Sequence, residues 1–146
     1  MSHLIYTPRP TSIGWVALSS DQTVTSAQTP VAFDTLVGSV SVTLPSSGTL
    51  RLKSGYSYWL QAFICVDRTS DTIPYSGKWY SSGLELTEDD GFFDSQTAIG
   101  TITGSPVAQA SVNIGASDLD ISLDVAGSAG TVLADSTHLI IVEMKT

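Results

Sequence analysis

Cysteine is all but absent from this chain. The one that occurs, Cys65, has no partner for an internal disulfide, and its apolar setting predicts a buried, inert thiol. Histidine is as scarce, with His3 and His138 the only two. There are no paired cysteines, no HExxH spacing and no glycine-serine nucleophile elbow, so neither a metal centre nor a hydrolytic triad is expected. The glycines fall singly in turns rather than between a strand and a helix, which removes phosphate-cradling motifs as well. Paired carboxylates of the glycosidase kind could be drawn from the acidic residues, but such enzymes use a larger scaffold with aromatic subsites. No catalysis and no cofactor are expected.

Basic residues are few: six Lys and Arg stand against fourteen Asp and Glu, a net charge of −8. Phosphate binding wants clusters of Lys and Arg, so nucleic acid is excluded as a direct partner. No run approaches the roughly 18 apolar residues of a membrane span, and MSHLIYTPRP lacks the apolar core and cleavage site of a signal peptide. Synthesis in the cytosol, with no membrane partner, is the expectation. Only 14% of residues are charged, against the usual ~25%. The polar surface must therefore come from Ser, Thr, Asn, Gln and Gly, a composition that suits all-β domains partly covered by other subunits.

What the chain does have is strand-forming sequence, and the stretch Gly55 to Val66 organises it. At period two, Tyr56, Tyr58, Leu60, Ala62, Ile64 and Val66 share one face, while Trp59, Phe63 and Cys65 share the other with Ser57 and Gln61. Both faces are largely apolar. One enters the core, and the other needs a cover from another layer or another copy of the chain. The closing run Thr137 to Met144 has the same character, with Leu139 and Ile141 on one face and Ile140, Val142 and Met144 on the other. His138 reads as an ordinary satisfied histidine, with an interface role as the alternative.

Short β-type runs recur elsewhere between turn clusters, and no amphipathic helix of ten residues or more is visible. The fold class is all-β. Trp15–Leu18, Val31–Phe33, Val40–Leu44, Lys78–Tyr80, Thr97–Thr103 and Val107–Ile114 all read as strands. Arg51 and Lys53 read as a solvated face. Asp118, Asp120, Ser122 and Asp124 alternate with inward Leu119, Ile121, Leu123 and Val125, which predicts a wet acidic face that discourages edge-to-edge pairing. Glu85, Glu88, Asp89, Asp90 and Asp94 fall in one loop around Phe92 and Phe93, but their spacing matches no calcium loop. Residues 1–14, with Pro8 and Pro10, read as an extended N-terminal arm ahead of a domain spanning 15–146.

Three of these stretches carry a family likeness. Pro30-Val31-Ala32-Phe33-Asp34, Gly55-Tyr56-Ser57-Tyr58-Trp59-Leu60 and Ser136-Thr137-His138-Leu139-Ile140-Ile141-Val142, in that order, resemble the jelly roll of the complement globular-head and tumour-necrosis-factor-like superfamily. Lys78-Trp79-Tyr80-Ser81-Ser82 followed by Ala98-Ile99-Gly100-Thr101 is similar to small bacteriophage structural proteins of that fold. The resemblance implies a two-sheet antiparallel β-sandwich that forms a homotrimer, one sheet facing the threefold axis. It further implies a place on the virion, made in the host cytoplasm, as a capsid decoration (cement) protein of a tailed bacteriophage.

On that reading Leu4, Ile5, Tyr6 and Arg9 attach the arm to the major capsid protein or a neighbour. Trp59, Phe63, Ile140, Val142 and Met144 pack the trimer. The alternatives are a receptor-binding tip of a phage fibre, with Tyr75, Trp79 and Tyr80 stacking on a host sugar, and a free-standing carbohydrate-binding module.

Overall fold

Period-two alternation of β-branched and aromatic residues with Ser and Thr favours strands throughout, because such side chains pack well on a pleated, half-buried surface. The computed structural model describes residues 11–25, 27–68, 76–81, 84–85, 93–94, 100–102, 107–127 and 129–145. Among them the regular elements are all strands, and all the pairs are antiparallel.

A five-stranded sheet runs in the order β13 (Val107–Asn113), β7 (Tyr56–Phe63), β16 (His138–Lys145), β1 (Thr11–Ala17), β4 (Thr35–Gly38). A seven-stranded sheet runs β10 (Leu84–Glu85), β9 (Ser76–Ser81), β14 (Leu119–Ala126), β6 (Thr49–Leu52), β5 (Val42–Ser46), with β11 (Phe93–Asp94) on β9 and β3 (Thr29–Pro30) on β14. A four-stranded sheet runs β12 (Gly100–Ile102), β8 (Val66–Arg68), β15 (Gly130–Val132), β2 (Gln22–Val24).

The sandwich is divided into three hydrogen-bonded sheets, and the order of strands gives the reason. Reading across, β12, β8, β15 and β2 are the chain neighbours of β13, β7, β16 and β1 in the same sequence. Four segments therefore run through both sheets and are interrupted between them. The Gly55–Val66 run, expected as one strand, breaks after Phe63, because Ile64, Cys65 and Val66 are buried consecutively and alternation fails there. At the break, Thr137 Oγ1 accepts the Cys65 N–H at 3.0 Å, and the Cys65 carbonyl accepts the Leu133 N–H at 2.9 Å.

The core lies between the five- and seven-stranded sheets. Val16, Leu60, Ala62, Leu139 and Ile141 of the first form one buried cluster with Leu50, Leu52, Trp79, Ile121, Leu123 and Val125 of the second. Val31 and Phe33 are fully buried too, yet they lie in no strand; the Val31 N–H instead donates to the Leu123 carbonyl at 2.8 Å. β1 starts at Thr11, paired with Met144, so Thr11–Gly14 belong to the sheet rather than to the arm.

A candidate interaction face

The outer face of the five-stranded sheet is built in rows by strand register. Ile13, Val142 and Trp59 stand side by side across β1, β16 and β7. In the next row Val37 of β4 is followed by Trp15, Ile140 and Gln61. Flanking rows hold Thr11, Met144 and Ser57 on one side, and Thr35, Ala17, His138 and Phe63 on the other. Side chains alternate between faces, so the intervening residues Val16, Leu60, Leu139 and Ile141 all point into the core. On β13, Val107, Gln109, Ser111 and Asn113 are in register with Phe63, Gln61, Trp59 and Ser57 of β7.

Two properties set this face apart. It exposes large apolar side chains, Ile13 by 66%, Val37 by 61%, Trp15 by 46% and Met144 by 41%. It also carries no carboxylate, lysine or arginine in those rows, in a chain whose net charge is −8. Exposed large apolar side chains gathered on one face make it a candidate interaction surface. Trp59, Phe63, Ile140, Val142 and Met144 all lie on it. Ile13, Trp15 and Val37 join them: Ile13 lies in the stretch that reads as arm, Trp15 opens a predicted strand whose neighbours only the register supplies, and Val37 sits in a short edge strand.

One titratable side chain stands in these rows. The His138 ring stacks on Trp15 with centroids 4.6 Å apart and planes 1° from parallel, and on Phe63 at 4.9 Å and 27°. Burial between the two rings pushes its imidazole below the ordinary histidine value. It is therefore a member of the outer face, partnered there by two aromatic rings.

Charge sits outside these rows: at Lys145 and the buried Glu143 of β16, whose carboxylate accepts the Ser41 N–H at 2.6 Å, on the opposite sheet and in the turns. Arg51 donates to both carboxylate oxygens of Asp120, at 2.8 and 3.0 Å, and the guanidinium holds that carboxyl below the usual range. Arg51, read as part of a solvated basic face, is thus half of an ion pair. Asp118 accepts the Ser54 N–H at 2.9 Å, Asp21 the Ala134 N–H at 2.8 Å, and Asp34 both the N–H and the hydroxyl of Ser19. Asp124, expected to be wet, is buried and accepts from Gln28 at 2.7 Å and Ser122 at 2.6 Å. It stands between Pro30 of β3 and Lys78 of β9 in the sheet register, and the Gln28 and Ser122 hydrogen bonds satisfy it.

Cys65 is buried, and burial pushes its thiol up, away from the reactive thiolate. Trp79 is fully buried, so it has no face to stack on a sugar. Leu4, Ile5, Tyr6 and Arg9, together with Tyr75 and most of the acidic loop, lie outside the described residues.

No protein-family model matches the chain, and no curated protein matches it in sequence. Solved structures do. Murine APRIL at pH 8.5 superposes with a TM-score of 0.61 at 10% identity, over 92% of this chain and 100% of that one. Murine APRIL at pH 5.0 gives 0.62 at 11% over the same shares. The PRD1 vertex protein P5 gives 0.51 at 11% identity, over 92% of this chain and 95% of its own. At these identities the likeness is one of architecture, and with the sheet order above it makes the fold a jelly roll of the tumour-necrosis-factor-like kind.

Proposed function

We propose that the chain is a viral structural protein that works as a homotrimer, and that it decorates and cements the capsid of a tailed bacteriophage. The observation that carries this is the uncharged apolar outer face of the five-stranded sheet. A chain with net charge −8 repels its own copies everywhere except where it bears no charge, so a second copy fits this face better than an acidic or a basic partner would. Trimerisation with one sheet toward the axis is what the superfamily resemblance implies, and the likeness to a PRD1 vertex protein supports a place on a virion.

The role is mechanical. Each trimer bridges neighbouring coat subunits through its arms, Leu4, Ile5, Tyr6 and Arg9, and through its lower loops. Once one arm is attached the second and third bind intramolecularly, so modest contacts add up to a firm clamp. No catalytic step is needed. Full burial of Trp79 removes the central residue of the sugar-stacking alternative.

The test is native mass followed by capsid binding. A mass near three times 15.4 kDa, with binding to purified capsids and a raised temperature of capsid rupture, is expected. A folded monomer at micromolar concentration would overturn the trimer. A trimer that ignores capsids and binds cells or glycans would move the protein to a fibre tip.

A further inference from the structure

We infer that His138 makes the assembly of this face pH-dependent, so that the trimer is closed when the imidazole is neutral and is released as folded monomers when three imidazoles take up protons. The inference rests on the trimer reading above and adds a regulation to it.

The argument is one of surroundings. From β1, Trp15 and Ala17 flank His138; from β7, Phe63 and Gln61; along β16 itself, Ile140. None of these titrates. The register position on β13 beyond Phe63 is Val107, and beyond Ala17 on β4 it is Thr35. Nearby carboxylates are engaged elsewhere or exposed: Asp34 holds Ser19, Asp135 accepts from its neighbour Ser136 at 3.1 Å, and Asp67 stands exposed on β8. Lys145 lies at the far end of β16. A proton on His138 would therefore find no counter-charge in the rows around it.

Stacking does not rescue the cation at assembly. An imidazolium over an indole gains cation–π attraction, but Trp15 and Phe63 belong to the same chain, so that gain is present before and after copies meet. What assembly removes is water. An unpaired charge taken out of water is costly, so the neutral ring is preferred in the trimer and the charged ring in the free chain. Burial within the single chain already pushes the imidazole down, in the same direction. The trimer thus binds fewer protons than its separated chains, and acid dissociates it.

The experiment is sedimentation of the full chain between pH 8 and pH 5.5, with near-ultraviolet circular dichroism to follow the fold. The wild type should be trimeric at pH 8 and a folded monomer at pH 5.5. With three histidines released, the association constant should fall by up to roughly 1,000-fold per pH unit through the transition. His138→Phe and the smaller neutral His138→Gln should both stay trimeric at pH 5.5, whereas His3→Gln should behave as wild type. A wild-type trimer that persists at pH 5.5, or His138 variants that dissociate in parallel with it, would overturn the switch while leaving the trimer standing. A wild-type monomer at pH 8 would overturn the trimer and the switch together.

Discussion

The hydroxyl of Thr137 replaces a ladder partner for Cys65. It accepts the Cys65 N–H at 3.0 Å and lies 3.4 Å from the Cys65 carbonyl, at the point where the longest apolar run in the chain is interrupted. Thr137 is itself buried, so no water stands in for it. Replacing Thr137 by valine keeps the shape and leaves a buried N–H without a partner. That substitution should cost about 1–3 kcal/mol, read from urea unfolding, while Thr137→Ser should retain most of the bond and of the stability.

Gly38 holds β4 on β1 and with it the position of Val37 beside Trp15. Its φ is +113°, and a Cβ there would sit 2.7 Å from the Ile13 carbonyl oxygen. Gly55 also has a positive φ, +84°, but nothing within 4 Å of an added Cβ. Gly55→Ala should therefore show conformational strain alone, about 1–2 kcal/mol. Gly38→Ala should lose clearly more in the same thermal unfolding series, since clash adds to strain; equal losses would show that the β4 edge gives way freely.

Val142 stands between Ile13 and Trp59 on the outer face. Val142→Asp puts a carboxylate from each copy into an apolar interface without a counter-charge. The expected result is a folded monomer by native mass, and an unchanged trimer would show that copies meet through another surface.

Asp120 and Asp34 are both held below the ordinary carboxylate range, by the Arg51 guanidinium and by the Ser19 hydrogen bonds respectively. A carboxyl whose folded value is lowered contributes stability above the unfolded value, ~3.9 for Asp, and loses it as pH falls through the folded value. The melting temperature should thus drop between about pH 4 and pH 2, and the Asp34→Asn, Asp120→Asn double variant should show a shallower drop. Both sites are exposed, so 1 M salt should flatten the difference at Asp120.

Deletion of residues 1–10 should abolish capsid attachment while leaving the number of copies in the oligomer and the circular dichroism unchanged. Full binding by the truncated chain would locate attachment in the loops.

Period two and the lack of helical spacing determined the fold class, because strand formation follows from local side-chain preference and alternation. The two-faced character of Tyr56–Phe63 and His138–Met144 was equally local, but it is the pairing of β7 with β16 that sets Trp59 and Phe63 on the same outer face as Ile140, Val142 and Met144. Tertiary structure decided what local pattern does not encode. Register set Ile13, Trp15 and Val37 beside those five, since neighbours across a sheet are distant in sequence. It broke the central run at Cys65, where a hydroxyl from 72 residues away meets the backbone. It buried Asp124 against Gln28, turned Arg51 onto Asp120, and stacked His138 between two rings from other strands. Alternation fixes which residues share a face; only the packed sheets fix what each face meets.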